Sequence, residues 1–235
     1  MNAESGSARF APLFHPVSPM NSFFVLRSSL AAAAAALAGC TLVESRPDPS
    51  RFYVLDAPAS APEPAATPWG FPLAVARVQT PSYLDQPHLI SRAGGSRVTF
   101  SEFNRWMEPL DKGATRVFSG ALAARLGADK LAQEPGLDIY RDGVLVQVNV
   151  LRFDGELGGE VTLHARWRAS SVHDGATLVT GERTVGVKCA GADYQDYAAA
   201  LGSALDVFAG QVAGELRARI ARNDAGLPVR APGAK

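Results

Sequence analysis

Two cysteines, four histidines and a scatter of carboxylates are the residues in this 235-residue chain whose types could do chemistry. Cys40 ends the apolar run 28–39, which holds six consecutive alanines and closes on Leu37-Ala38-Gly39. An aliphatic residue, two small residues and a cysteine form a bacterial lipobox. The small side chains suit a signal-peptidase pocket, and the cysteine sulfur takes a diacylglycerol. After cleavage Cys40 becomes the N-terminus and takes an N-acyl chain as well; no other cofactor is expected. Each buried methylene adds about 0.8 kcal/mol, so a multiply acylated cysteine is a durable membrane anchor. The plainer readings are an ordinary signal peptide, or an alanine-rich helix with a chance cysteine. The run is too short to cross a bilayer as a mature helix.

With Cys40 acylated, Cys189 has no partner, and we expect a small, buried, inert side chain near a strand end. His88, His164 and His173 are scattered, with His164 on the polar side of its strand and His173 beside a turn, so no metal site is expected. Asp138, Asp142, Asp154, Glu156 and Glu160 cluster in sequence. Paired carboxylates can run acid–base chemistry, but these flank turns, where such residues are expected anyway. Arg152, Arg166, Arg168 and Arg183 lie on neighbouring strands, as an anionic contact or as a solvated sheet face. No phosphate-cradling loop, spaced-glycine nucleotide motif, HExxH, Gly-x-Ser-x-Gly elbow or Ser-x-x-Lys occurs. No catalytic constellation is therefore expected.

The stretch from Thr80 to Leu110 is more distinctive. Pro81-Ser82-Tyr83-Leu84-Asp85-Gln86-Pro87 precedes an aliphatic strand, and Phe103-Asn104-Arg105-Trp106-Met107-Glu108-Pro109-Leu110-Asp111 opens a helix. Pro87 and Pro109 fix loop geometry, while Trp106 offers a large amphipathic surface. Tyr83, Leu84, Asp85, Arg105, Trp106 and Glu108 are the candidate partner-binding residues. The competing reading is that Tyr83, Leu84 and Trp106 simply plug the core beneath the loops.

Those residues need elements to position them. Residues 1–39 read as the leader, with Met20 the expected true start, and 40–50 as a lipidated tether. Residues 51–222 read as one α+β domain, with a Pro/Ala-rich loop at 56–70, and 223–235 as a frayed tail. Strands are expected at 51–55, 71–78, 88–92 and 97–100, the last two joined across Ala93-Gly94-Gly95-Ser96. Asp111 is expected to cap a helix striped by Ala114, Val117, Phe118, Ala121, Leu122 and Leu126, with Gly127 as its left-handed end. Val144, Val146, Val148 and Val150 alternate, as do Val161, Leu163, Ala165 and Trp167. With 177–187, reached through Asp174-Gly175, they predict an antiparallel meander with one buried face. A long helix over 194–222 carries a stripe from Tyr197 to Ile220. The expectation is a mostly antiparallel sheet with two amphipathic helices packed on one face.

Composition narrows the function classes. Basic and acidic residues balance at 23 each, so nucleic-acid binding loses its usual footprint. The chain is 47% hydrophobic, enough to bury a real core.

In its ordered set of motifs the chain resembles the ABC-type transport auxiliary lipoproteins, the group that includes the paraquat-inducible protein C lipoproteins. The shared features are the lipobox cysteine, Phe52-Tyr53-Val54-Leu55, the Tyr83-Leu84-Asp85 loop and the Trp106-x-Glu108-Pro109-Leu110 turn. The Phe153-Asp154-Gly155 segment, the Trp167 strand and the closing helix match too. The resemblance implies a non-enzymatic, periplasm-facing partner of an MCE-type transport system. There an MCE-domain protein and an ABC transporter move lipids or other apolar molecules between the two membranes. Thr41, rather than Asp, favours outer-membrane sorting. A homo-oligomer stays open. Two other readings stand beside it: a carrier holding an acyl chain between helices and sheet, and a periplasmic hydrolase, which lacks a nucleophile–base pair.

Overall fold

Long alternating strands dominate the chain's second half, and they build the larger of two sheets. A computed structural model describes residues 47–58, 69–133 and 143–222. The leader, Cys40, most of the tether, most of the Pro/Ala-rich loop, Asp138, Asp142 and the tail lie outside the described residues. From Pro49 onward the chain belongs to one compact unit.

The strands are β1 (Arg51–Tyr53), β2 (Leu73–Val75), β3 (His88–Arg92), β4 (Val98–Trp106), β5 (Leu131–Gln133), β6 (Val144–Gly155), β7 (Glu160–Ser171) and β8 (Thr177–Lys188). The helices are α1 (Leu110–Leu126) and α2 (Tyr194–Arg222). Sheet order is β5-β2-β6-β7-β8 in the larger sheet and β1-β4-β3 in the smaller. The class is α+β, as expected. The meander β6-β7-β8 is antiparallel, but β2 runs parallel to β5 and β6, and β1 parallel to β4. Both sheets are therefore mixed, because the short early strands return to the sheet through crossovers instead of hairpins.

The predicted alternation lands on the core. Val144, Val146, Val148 and Val150 are buried, and so are Val161, Leu163, Ala165 and Trp167 across from them. Against this face lie α1 and α2, whose Phe118 and Phe208 rings meet at 5.4 Å. Arg125 donates a fork of hydrogen bonds to Asp206, at 2.7 and 2.6 Å, tying one helix to the other. Arg217 donates to the Leu126 carbonyl, a helix-end acceptor with no partner inside α1. Gly127 adopts φ 59°, the left-handed end expected of it. The start of α1 differs from expectation. Pro109 is the N-cap, with no side-chain cap, and Asp111 sits in the first turn, bridged to Arg77 at 3.3 Å.

One glycine position is fixed by a close approach. The chain after β1 crosses α2 so tightly that a Cβ built on Gly202 would overlap the Asp56 carbonyl oxygen. Gly202→Ala gains about 1 kcal/mol in helix propensity, but it forces two backbones apart, an overpacking cost of about 1–3 kcal/mol or more. We expect a net loss, read as a Tm several degrees lower in thermal denaturation. An unchanged Tm would mean that the crossing is loose.

Candidate functional site

Two proline-shaped loops and the end of β4 come together beside the smaller sheet. Pro81 turns the chain into a single 3-10 turn, Ser82–Leu84, closed by a hydrogen bond from the Asp85 N–H to the Ser82 carbonyl. Gln86 Nε2 donates to the Tyr83 carbonyl at 2.8 Å. The Trp106 N–H donates to the Pro87 carbonyl at 2.6 Å, joining the loop to the last residue of β4. The Met107 N–H donates to the Tyr53 carbonyl at 2.8 Å, bringing β1 to the same place. Between the loops lies an open cleft of about 320 Å³, with Asp85, Pro87, Trp106, Met107 and Glu108 in its lining. Asp85 also borders a neighbouring cleft of about 370 Å³, which the Arg77–Asp111 pair flanks.

The candidate residues divide by role. Asp85, Trp106 and Glu108 meet at the cleft. Trp106 is only 8% exposed and Leu84 4%, so both are mainly core beneath the loops, which leaves a partner little of either to touch. Glu108 is already engaged. Arg116 donates to it at 2.7 Å, to Asp56 at 3.1 Å and to the Leu55 carbonyl at 2.8 Å. Those carboxylates, Glu108 foremost, raise the Arg116 pKa against a smaller opposing effect of burial. Arg105 falls on the other side of β4 from Trp106, in register with Phe52 and His88.

Tyr83 leads to the buried carboxylate that holds the loop. Its hydroxyl donates to Asp154 Oδ2 at 2.6 Å. Arg92 donates to both Asp154 oxygens, at 2.6 and 3.0 Å, and Arg152 to Oδ1 at 2.9 Å. Burial pushes the Asp154 carboxyl up, but the donors, Arg92 first, outweigh it and hold the group below the usual carboxylate range. Burial, reinforced by the hydrogen bond to Asp154, pushes the Tyr83 phenol up to about 12. Next to it, the Tyr197 hydroxyl accepts from the Gly155 N–H and donates to the Ile90 carbonyl.

Asp154 is thus not a turn-flanking carboxylate. Register slips between Val150 and Arg152, so beyond the bulge Phe153 faces the core while Arg152 and Asp154 point away from it. The turn at Ser82–Leu84 and β3 cover that place, which is why the side chain has no exposure. Sequence reasoning missed this centre, since nothing in the valine alternation announces the slip. Arg183 also differs from expectation: it faces α2, where it meets Glu215 at 2.6 Å, away from Arg166 and Arg168.

Among the described residues no group of three or more His, Cys, Asp and Glu side chains could hold a metal ion. His164 pairs with Glu182 at 2.7 Å on the outer sheet face. Cys189 is partly buried, with Sγ 3.8 Å from the Glu156 carbonyl, and burial pushes its thiol up, away from reactivity. No described helix is long and apolar enough to cross a membrane.

A crystal structure of an uncharacterized protein is 19% identical at a TM-score of 0.59, covering 71% of this chain and 98% of its own. Protein XCC0632 from Xanthomonas campestris, of family DUF330, is 17% identical at 0.57, covering 74% and 99%. These likenesses show the fold. No curated protein matches the chain. The family model described as ABC-type transport auxiliary lipoprotein component matches residues 53–213, from the end of β1 to the last third of α2. The chain belongs to that family of ABC-type transport auxiliary lipoprotein components.

Proposed function

We propose that this chain is a non-enzymatic, lipid-anchored periplasmic subunit of an MCE-type ABC transport system. It docks the assembly at the outer membrane while other subunits move lipids or other apolar molecules between the membranes. The family match across residues 53–213 carries the reading. Acyl chains on Cys40 supply the anchor, and Thr41 favours outer-membrane sorting. The partner, an MCE-domain protein, docks at the cleft beside Asp85, Trp106 and Glu108. Tyr83 and Leu84 hold one wall of that cleft from beneath, and Arg105 stands behind β4. The interior supports docking over carriage, because Phe118, Phe208, Ala114, Ala121 and Ala204 fill the space a carried acyl chain would need.

The test is a gentle detergent pull-down of tagged full-length protein, with mass spectrometry of co-purifying proteins and lipids. A stoichiometric MCE-domain protein supports the reading; stoichiometric lipid with no protein partner favours a carrier. Asp85 and Met107 are exposed on the rim, so Asp85→Lys with Met107→Ser tests the contact without touching the core. Capture of the partner is expected to weaken about tenfold, the size of one interface hot spot, with Tm unchanged. Full capture by the double variant would move the contact elsewhere.

A further inference from the structure

We propose that the outer face of the small sheet lies against the phospholipid bilayer that holds the acyl chains, so the chain is oriented on the membrane as well as tethered to it. The inference rests on the lipidation of Cys40 proposed above. Seven large apolar side chains are exposed among the described residues, and six of them lie on β1, β4 or the residue that follows each strand. Only Val207 is elsewhere.

Two of these six, Phe52 and Phe100, are joined in one row of the sheet by pairing and ring contact. Phe52 pairs with Arg105, Arg105 pairs with His88, and the His88 ring meets Phe100 at 5.6 Å. Paired residues share a face, so this row crosses all three strands. Phe103 lies two residues before Arg105, and Val54 follows directly on β1; between Arg105 and Phe100 the register of β4 slips, and beyond the slip Phe100 and Val98 pair with Ile90 and Arg92. The opposite face is taken, because Tyr53 and Trp106 pair and pack on the core. Phe100 is 62% exposed and Phe52 57%, an apolar exposure that folding alone does not account for.

Two observations choose the bilayer as the occupant. Ten residues, Thr41 to Ser50, separate Cys40 from β1. Fully extended they reach roughly 35 Å, so Phe52 is confined close to the surface that takes the acyl chains. The charge also fits anionic headgroups. Arg105 stands in the aromatic row and Arg97 at the hairpin end of β4, against the one carboxylate of these strands, Glu102. Aromatic side chains beside arginine are the composition of an interfacial membrane contact.

Full-length lipidated protein, bound to phosphatidylethanolamine–phosphatidylglycerol vesicles with brominated acyl chains, tests this. The three native tryptophans are buried, so Phe103→Trp adds an accessible indole on the sheet, and Val207→Trp adds one on α2 as control. Loss of the Phe103→Trp emission to bromine, with Val207→Trp emission retained, is the expected result. Equal retention, or equal loss, in protein that floats with the vesicles overturns the sheet contact and leaves lipidation standing. A blue shift without quenching that grows with protein density assigns the face to a second copy, which also overturns it. Failure to float removes the anchor and this contact together.

Discussion

Full-length protein carrying Cys40→Ala is expected to lose all incorporation of radiolabelled palmitate and to leave the membrane fraction, while its domain stays folded. In the proposed anchor the Cys40 sulfur takes the diacylglycerol, and alanine offers no nucleophile there. Anchoring by acyl chains is worth about 0.8 kcal/mol per buried methylene, so their removal dwarfs any surface contact the domain makes. The fold has no need of the anchor, because the buried residues run from Leu55 to Leu216. Cys189→Ala is the control, expected to label as wild type does, since burial keeps that thiol protonated. Palmitate retained in Cys40→Ala protein, or the variant recovered with membranes, would defeat the lipobox reading.

Asp154→Ala is expected to cost about 3–5 kcal/mol, the penalty for breaking a buried ion pair by removing one partner. Its side chain is 0% exposed and answers donors from Arg92, Arg152 and Tyr83. Without it the Arg92 guanidinium, 20% exposed, keeps its charge in a site that no longer balances it. Tyr83 loses its hold on β6, so the loop bearing Asp85 shifts and partner capture falls as well. The pH dependence has a definite sign. The folded carboxyl titrates below its ordinary value, so its contribution is complete above the ordinary range. It is lost as pH falls through the depressed folded value. Urea unfolding over an acid series should show that loss in wild type and not in Asp154→Ala. An alanine variant as stable as wild type at neutral pH would mean the cluster is dispensable.

The elements that were legible in the sequence carry a repeating physical signal. Residues 88–92 and 194–222 fall on β3 and α2 as expected, because a short apolar run between turns is buried on both faces and a helical stripe buries one. The Gly94-Gly95 hairpin and the Gly175 turn follow from glycines at φ 93°, 58° and 71°. What stayed hidden depends on partners far along the chain. β1 finds its register on β4 about fifty residues later, and three paired residues leave no periodicity to announce it. β4 extends through Trp106, where mixed polar and aromatic residues read as the approach to a helix. The bulge after Val150 inverts the faces and converts Asp154 from a turn residue into the buried centre of a cluster. At the candidate site the chemistry of Asp85 and Glu108 could be read from the sequence. The placement of Leu84 and Trp106 in the core was the competing reading of the sequence, and their burial bears it out, because a large aromatic before a turn serves packing first.

The crossing of the Leu55–Asp56 segment over α2 also bears on mechanical load. Arg116 grips this segment from α1, and Gly202 lets it sit flush against α2. A pull arriving from the tether along β1 therefore ends at a clamp held by both helices. Since β1 lies parallel to β4 in three paired positions, such a pull shears those rungs together instead of peeling them singly. The fold meets force at its N-terminal edge with a strand built to bear it.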